Sequence, residues 1–238
     1  MKGADLLARG GALKFAHGVN SQARMEQFLK GAIDVFETDV SWGYIKGAPG
    51  EERAVAAHPP FRESDLSFEQ LFEAAVASGK AVKIDVKDRG AESAVLDYLR
   101  RSDPARDRFF LNADVVVGPG GYPTVFTPAD ARAWRDVLGP DLLVSIGWTS
   151  LGPNAAYTED DVRRMLDAAE LIGDPLTICL DAHRVEVGRG ALDAILAAGR
   201  HVSLWNWFPA DAAMYERYRS MLSDAFIDLI DWSRNPIF

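Results

Sequence analysis

Cysteine is almost absent from this sequence, with Cys179 the one example in 238 residues. A single thiol cannot form an internal disulfide, and it cannot supply the paired cysteines of a structural zinc site. No stretch comes near the roughly 20 consecutive apolar residues that a membrane-spanning helix needs. Residues 1–9 also lack the apolar core of a signal peptide, so we expect a cytoplasmic protein with no integral membrane segment.

Positive charge is scarce as well, and it is dispersed. The chain carries 26 Lys and Arg against 35 Asp and Glu, which gives a formal net charge of -9. Surfaces that bind nucleic acid concentrate their basic residues in a patch, so we expect no nucleic-acid partner. An anionic small molecule stays compatible with this charge, because a bound dication reverses the local field.

Short apolar runs alternate with longer amphipathic segments. The predicted strands are 13–17, 33–40, 81–87, 109–114, 142–147, 176–181, 201–205 and 225–230. The predicted helices are 21–30, 64–78, 91–101, 128–138, 159–172, 190–198 and 210–222. This alternation predicts an α/β fold, a single (β/α)8 TIM barrel over residues 1–238 with a hairpin-like excursion at about 41–58. An open doubly wound sheet fits less well, because no Gly-x-Gly-x-x-Gly turn follows the first strand.

Polar and aromatic residues gather at the carboxyl ends of the predicted strands, where barrels of this kind carry their active sites. They are His17, Glu37, Asp39, Asp85, Lys87, Asn112, Asp114, Trp148, Asp181, His183, Trp205, Trp207 and Asp228. Side chains alternate between faces along a strand, so Glu37 and Asp39 share one face and repel unless a cation or a proton lies between them. With Asp85 from the next strand they offer hard oxygen ligands, which suit one divalent cation, Mg2+ or Ca2+.

Each of these positions also has a purely structural interpretation. Glu37 and Asp39 could form the polar face of an ordinary strand, bonded to neighbouring amides. Lys83, Asp85 and Lys87 share one strand face and could form a buried ladder of ion pairs that fills the barrel. Asn112 and Asp114 could cap loops, and Trp205 could be a rim aromatic.

The order of these residues resembles that of the phospholipase-C-like phosphodiesterase superfamily. His17-Gly18, Glu37-x-Asp39, His58, Asp85-x-Lys87 and a Trp at the seventh strand, Trp205, are similar to the pattern of its glycerophosphodiester phosphodiesterases and sphingomyelinase D-type phospholipases. Within that superfamily the sequence motifs are most similar to those of the menorin family. The matching segments are 15–21, 37–40, 57–60, 64–67, 83–87, 111–114 and 147–149.

Two positions depart from the pattern of the hydrolases. Those enzymes carry His-Arg-Gly at the first strand, whereas His17 is followed here by Gly18 and Val19. They also carry His-Asp at the second histidine, whereas His58 is followed by two prolines. Without that arginine, Asn20 or Lys87 would have to hold a phosphate oxygen.

The resemblance implies a role for each candidate. His17 would attack or act as the base, His58 would act as the acid, and Lys87 would assist them. Glu37, Asp39 and Asp85 would hold the metal. The substrate would be contacted by Asn20, Lys83, Asn112, Asp114, Trp148 and Trp205.

The predicted function is that of a metal-dependent phosphodiester hydrolase or phospholipase D-like lyase. Its substrate would be a glycerophosphodiester or a lysophospholipid-like molecule, bound through its head group. The alternative is a catalytically silent menorin-like binding or scaffold protein that retains a metal or anion pocket. The presence of both histidines and of the Asp85-x-Lys87 pair favours the enzyme. A sugar-processing barrel that uses Glu37 and Asp85 is a third possibility, which no aromatic platform near these acids supports.

Overall fold

The structure is a computed structural model that describes residues 13–31, 33–102, 108–149 and 155–205, and the backbone of 226–229. The strands are β1 Lys14–Ala16, β2 Val35–Ile45, β3 Glu52–Ala56, β4 Glu63–Ser64, β5 Ala81–Val86, β6 Phe109–Val117, β7 Val144–Thr149, β8 Leu176–Asp181, β9 His201–Trp205 and β10 Phe226–Leu229. The helices are α1 Gln22–Leu29, α2 Phe68–Ala77, α3 Arg89–Arg101, α4 Pro128–Leu138, α5 Glu159–Ile172, α6 Ala182–Val187 and α7 Gly190–Ala197. The predicted helix 210–222, Trp207 and the side chain of Asp228 lie outside this description.

The parallel strands form a sheet that closes on itself. Around the sheet the order is β1, β2, β5, β6, β7, β8, β9 and β10, with each strand bonded to the next and β10 bonded to β1. Helices follow most of the strands. Neighbouring helices pack against one another around the sheet, α4 against α5 and α5 against α7. The predicted α/β barrel is confirmed, and the predicted strands 176–181 and 201–205 coincide with β8 and β9.

Helix starts follow local sequence signals. In α2, α4 and α5 the hydroxyl of Ser67, Thr127 or Thr158 accepts a bond from the backbone three residues later, and the side chain at that later position bonds back. Such caps each contribute about 1 kcal/mol to helix stability. The short helix α6 was not predicted, because its cap is Asp181, which also ends β8. None of the helices in the described ranges is long and apolar enough to cross a bilayer.

The second strand continues past the barrel as a hairpin. The outer half of β2 pairs with β3 in antiparallel register from Val40 opposite Ala56 to Tyr44 opposite Glu52. The hairpin overlaps the stretch 41–58 where the sequence predicts an excursion, and it returns the chain to the carboxyl end of the barrel just before His58. Short β4 pairs with the far end of β2 and covers the hairpin.

The barrel interior is divided along its axis. Its amino-terminal half holds an apolar cluster drawn from the first residues of the strands: Leu13, Phe15, Val35, Ala81, Phe110 and Leu143. A second and larger apolar cluster fills the layer between the strands and the helices. Side chains of alternating strand positions therefore divide between that outer layer and the interior, and the acidic residues occupy the carboxyl-terminal half of the interior.

We predict that the hairpin requires glycine at position 43, because Gly43 leaves no room for a Cβ. A Cβ built there would lie 1.9 Å from the Arg62 carbonyl oxygen and 3.0 Å from a Val55 methyl group. Gly43→Ala should therefore lower the free energy of unfolding by about 1–3 kcal/mol, the usual cost of overpacking. Urea denaturation checks this, with Gly190→Ala as the control, because nothing lies within 4 Å of a Cβ there. Equal midpoints for the two variants would contradict the predicted clash.

Candidate active site

Three carboxylates meet in the barrel interior. Glu37 and Asp39 extend from β2, and Asp85 extends from β5, where it is the register partner of Asp39. One oxygen from each of the three lies within 4.8 Å of the others. Glu37 and Asp39 are 2% and 5% exposed, so their charges are almost fully removed from water. The structure thus brings together the three residues that the sequence predicts as metal ligands.

The loop after β1 supports this acid cluster through direct hydrogen bonds. The Gly18 N–H donates to Glu37 Oε2 at 2.6 Å, and Asn20 Nδ2 donates to Asp39 Oδ2 at 2.6 Å. The Asn20 side-chain oxygen in turn accepts a bond from the Asp39 N–H at 3.0 Å. Gly18 has a φ of 62°, a conformation that glycine adopts without steric cost. Asn20 therefore contacts the acid cluster directly, through both ends of its amide.

Lys87 provides the positive charge of the acid cluster. Its Nζ lies 2.9 Å from Asp39 Oδ1 and 2.6 Å from Asp85 Oδ2. Burial alone would lower the pKa of Lys87, but the charges of Asp39, Asp85 and Asp114 outweigh it and raise that pKa well above its usual value. Burial alone would likewise raise the pKa of Asp39, and the positive charges around it, Lys87 foremost, hold it below its usual range. Asp39 is thus a carboxylate and Lys87 an ammonium at neutral pH.

Both predicted histidines border the acid cluster. His17 Nε2 lies 3.6 Å from Glu37 Oε2, and the His17 ring is tilted against the Trp205 ring with centroids 6.0 Å apart. The buried guanidinium of Arg24, on α1, holds the His17 backbone by donating to its carbonyl oxygen at 2.9 Å. His58 is exposed, with Nδ1 2.6 Å from the Pro59 carbonyl oxygen.

The two histidines act on the same carboxylate. Burial raises the pKa of Asp39, and the charge of Lys87 lowers it. The charges of His58 and His17 lower it further. Positive charge on either ring therefore stabilises the ionised form of this buried carboxyl group. The structure therefore groups the predicted pair of histidines with the predicted acids.

Asp114 and Asn112 border the acid cluster on the next strand. Asn112 is the register partner of Asp85 and is 3% exposed. The Asp114 carboxylate has room because β7 carries glycine opposite it: a Cβ on Gly147 would lie 2.4 Å from Asp114 Oδ1. Burial, and then the charge of Asp85, raise the pKa of Asp114 to about 7.

Lys83 lies deeper than the other predicted substrate contacts. Its Nζ is 3.2 Å from Cys179 Sγ and 6.0 Å from the centroid of the Phe15 ring, which belongs to the apolar cluster in the amino-terminal half. Lys83 is 2% exposed. It therefore lies on the floor of the interior, beneath the carboxylates, rather than at the barrel mouth.

The structure corrects the predicted position of Trp148. Its ring packs on Tyr157 with centroids 4.6 Å apart, and its Nε1 donates to the Asp161 carbonyl oxygen at the start of α5. Because Gly147 faces the interior, the alternation along β7 turns Trp148 outward, into the apolar layer beneath the helices. Trp148 is thus a packing residue of that layer and does not line the acid cluster.

Tyr122 borders the site and was not predicted from the sequence. Burial raises the pKa of its phenol, and the charges of Asp114, Asp85 and Asp39 raise it as well, with Lys87 acting in the opposite direction. Its loop is tied to the end of β7, since the Thr149 hydroxyl donates to the Tyr122 carbonyl oxygen. The one sequence signal was the glycine-rich stretch 118–121, which permits this approach: a Cβ on Gly121 would lie 2.0 Å from the Thr149 carbonyl oxygen.

The donor set fits a hard divalent cation. Carboxylate oxygens are the ligands that Mg2+ and Ca2+ prefer, and three of them converge here without cysteine or histidine among them. The ammonium of Lys87 already bonds to two of the three, which shows that the cluster is arranged around positive charge. Glu37, Asp39 and Asp85 are therefore the residues that would hold such an ion.

The fold and site define an α/β barrel with an acid cluster at the carboxyl ends of its strands. The structure is similar to a glycerophosphodiester phosphodiesterase from Parabacteroides distasonis, with a TM-score of 0.56 and 12% identity over 92% of this chain and 93% of that one. It is equally similar to a protein of Galdieria sulphuraria thought to be a glycerophosphodiester phosphodiesterase, with a TM-score of 0.57 and 13% identity over 93% and 94% of the two chains. At such low identity these likenesses establish the fold alone.

The family model of the Menorin N-terminal domain matches residues 10–225, and the chain belongs to this family. A human relative, Protein FAM151B, is 24% identical over 248 residues, which cover 97% of this chain and 87% of that protein. The match spans β1 to β9 and therefore includes every residue of the acid cluster and both histidines. The resemblance inferred from the sequence motifs is confirmed at the level of the family.

We predict that Asp114 makes the stability of the protein depend on pH. Its pKa in the folded state is raised, so between about pH 4 and pH 7 the folded protein binds more protons than the unfolded chain, and stability falls as pH rises. Asp114→Asn should remove this loss, and its stability relative to the native protein should be greater at pH 8 than at pH 5. Urea denaturation in the presence of a chelator measures both values. The exposed Asp97→Asn on α3 is the control, and an equal response of both variants would refute the assignment.

Proposed function

We propose that this protein is a metal-dependent phosphodiesterase that acts on a glycerophosphodiester or a lysophospholipid-like substrate. The observation that carries the proposal is the convergence of three buried carboxylates with His17 at the carboxyl end of the barrel. A divalent cation held by Glu37, Asp39 and Asp85 would neutralise negative charge that develops on the phosphate oxygens. Glycerophosphodiester phosphodiesterases share the barrel fold, and the order of the histidine and acid motifs in this chain supports the same class of substrate.

The two histidines divide the proton transfers between them. His17 takes the proton from the attacking hydroxyl group, or attacks phosphorus itself, and His58 protonates the leaving alcohol. Glu37, 3.6 Å from His17 Nε2, stabilises the positive charge that His17 gains. Attack by water gives hydrolysis, whereas attack by a neighbouring substrate hydroxyl group gives a cyclic phosphate and corresponds to the lyase.

Several residues position these groups or contact the substrate. Asn20 orients Asp39 through two hydrogen bonds, so we assign it to the support of the acid cluster. The Lys87 ammonium binds a phosphate oxygen, in place of the arginine that follows the first histidine in the hydrolases. Trp205 restrains the His17 ring and presents an apolar face to the alcohol. Asp114 and Tyr122 lie within electrostatic reach of the acid cluster: burial raises the pKa of each, and the charges of Asp85 and Asp39 raise it further.

The second candidate is a binding or scaffold protein that retains the pocket without catalysis. One observation favours it: Lys87 partly neutralises Asp39 and Asp85, so the pocket has a source of electrostatic stabilisation besides a metal. The two candidates differ in turnover and not in fold. Release of alcohol from glycerophosphodiesters and lysophospholipids, in the presence of Mg2+ or Ca2+, decides between them.

We expect His17→Ala and His58→Ala each to lower diesterase turnover by about two to four orders of magnitude, the usual contribution of general acid–base catalysis. The folded content should be unchanged, because His58 is exposed and the His17 loop is held through backbone contacts. The assay is release of the alcohol by purified protein. His201→Ala is the matched control, since His201 begins β9 at the opposite end of the barrel. Full turnover in either site variant would exclude the two-histidine mechanism.

Glu37→Gln should weaken the binding of Mg2+ or Ca2+, because it removes one anionic oxygen ligand from the acid cluster. Isothermal titration calorimetry measures the dissociation constant directly, without any assay of turnover. Glu170→Gln on the outer surface of α5 changes the net charge by the same amount, and it should bind the ion as the native protein does. An unchanged dissociation constant in Glu37→Gln would remove Glu37 from the ligand set.

A further inference from the structure

The Lys87 ammonium lies between two carboxylates of the acid cluster, Asp39 and Asp85. The residue directly follows β5, and its own N–H donates to the Val40 carbonyl oxygen at 2.9 Å, which fixes the start of the side chain. From there the side chain reaches one oxygen of Asp39 and one of Asp85. The second oxygen of Asp39 accepts from Asn20. Both oxygens of this buried carboxylate are thus already engaged.

We propose that Lys87 and a divalent cation compete for Asp39 and Asp85, and that binding of the cation releases the Lys87 ammonium toward the substrate phosphate. This inference rests on the proposed function, because it takes the metal and the phosphate from it. It goes further by making the lysine an exchangeable occupant of the metal site.

The competition follows from charge and from the limited number of oxygens. A hard dication requires several carboxylate oxygens at short distance, and two of the nearest ones are bonded to an ammonium. Like charges a few ångströms apart in a partly buried site repel strongly, so the ion and the ammonium each weaken the other's binding to the same two carboxylates. Binding of the ion therefore favours the departure of Lys87 from one or both of its partners.

The released ammonium needs a new negative partner. Its side chain is 16% exposed, so it faces the pocket rather than bulk water. The charge of Asp114 also acts on Lys87, after those of Asp39 and Asp85, and Asp114 belongs to β6, the strand beside β5. A phosphate that enters the pocket supplies a stronger partner, through charge-assisted hydrogen bonds to its oxygens.

Exchange of this kind couples the two ligands. Without the ion, the charge of Lys87 is neutralised by Asp39 and Asp85, and an entering anion meets uncompensated carboxylate charge. With the ion bound, Lys87 becomes available and the anion binds more tightly. Coupling between two sites is reciprocal, so the anion must raise the affinity for the ion by the same factor. The pocket would then bind metal and phosphate together much better than either alone.

The test uses Lys87→Met, which keeps the length of the side chain and removes its charge. We expect this variant to bind Mg2+ about tenfold more tightly than the native protein, the effect of removing a partly buried competing charge. We also expect sulfate, used as the anion probe, to bind the native protein several-fold more tightly with Mg2+ than without it, and this enhancement to be smaller in Lys87→Met, where the ion alone attracts the anion. Titration calorimetry measures the two Mg2+ affinities and the four sulfate affinities.

Arg53→Met is the control for net charge, because Arg53 pairs with Glu51 near the exposed tip of the hairpin. It should bind both ligands as the native protein does. The thermal midpoint provides a second measurement if Lys87→Met is too unstable for calorimetry. Mg2+ should raise that midpoint more in Lys87→Met than in the native protein.

The outcomes separate this inference from the proposed function. Equal or weaker Mg2+ binding by Lys87→Met overturns the competition while leaving a metal-dependent enzyme intact. Tighter Mg2+ binding with an unchanged metal–sulfate enhancement overturns the release of Lys87 toward phosphate. Absence of binding in both proteins, with Mg2+ and with Ca2+ in its place, overturns the metal in the proposed function, and the inference with it. Mg2+ binding by the variant alone supports the inference in its strongest form.

Discussion

Mutual repulsion among Glu37, Asp39 and Asp85 is the constraint on which the carboxyl-terminal half of the barrel depends. Carboxylates removed from water stay ionised only when positive charge or hydrogen-bond donors surround them. Here the donors come from the chain itself: the backbone of Gly18, the amide of Asn20 and the ammonium of Lys87. The loops after β1 and β5 are therefore arranged by the electrostatics of the acid cluster.

The barrel makes this concentration of charge possible by separating two kinds of interior. Apolar side chains at the strand starts, such as Phe15 and Phe110, close the amino-terminal half and contribute burial energy without polar groups. The carboxyl-terminal half can then hold charged groups whose desolvation would be too costly in a small protein. The Lys83 ammonium, between Phe15 and Cys179, marks the boundary between the two halves. An apolar floor and a charged mouth thus belong to one continuous sheet.

Much of the fold could be predicted because the relevant signals are local. Helix α5 begins after Thr158 and ends before Gly173, and both signals lie next to the helix in the sequence. The acid cluster could be predicted for a similar reason, since the positions of Glu37 and Asp39 follow from strand alternation, and adjacent parallel strands bring Asp85 beside them. Family motifs added His58, whose place depends on the hairpin.

Other features depend on which face of a strand looks inward, and the sequence does not define that for every strand. Trp148 follows Gly147, and only the packing of Asp114 against that glycine reveals that the glycine faces inward and the tryptophan outward. Tyr122 depends on a loop whose course follows from contacts with Thr149, 27 residues away. The partners of Lys87 are also non-local: a ladder of ion pairs along β5 was one interpretation, but the structure adds Asp39 from the neighbouring strand.

The hairpin that extends β2 tolerates changes of length at its tip but not in the segment that leads to His58. Residues 46–51 form an exposed turn at its tip, where insertions would lengthen a loop at small entropic cost and leave the ladder below unchanged. The segment from Ala56 to His58 has no such freedom, because the pairing of Ala56 with Val40 sets the distance to the acids. A single residue added there would move His58 relative to the last paired residue and to the acids. An insertion at the tip should therefore leave the position of His58 unchanged, whereas one between Ala56 and His58 should displace it.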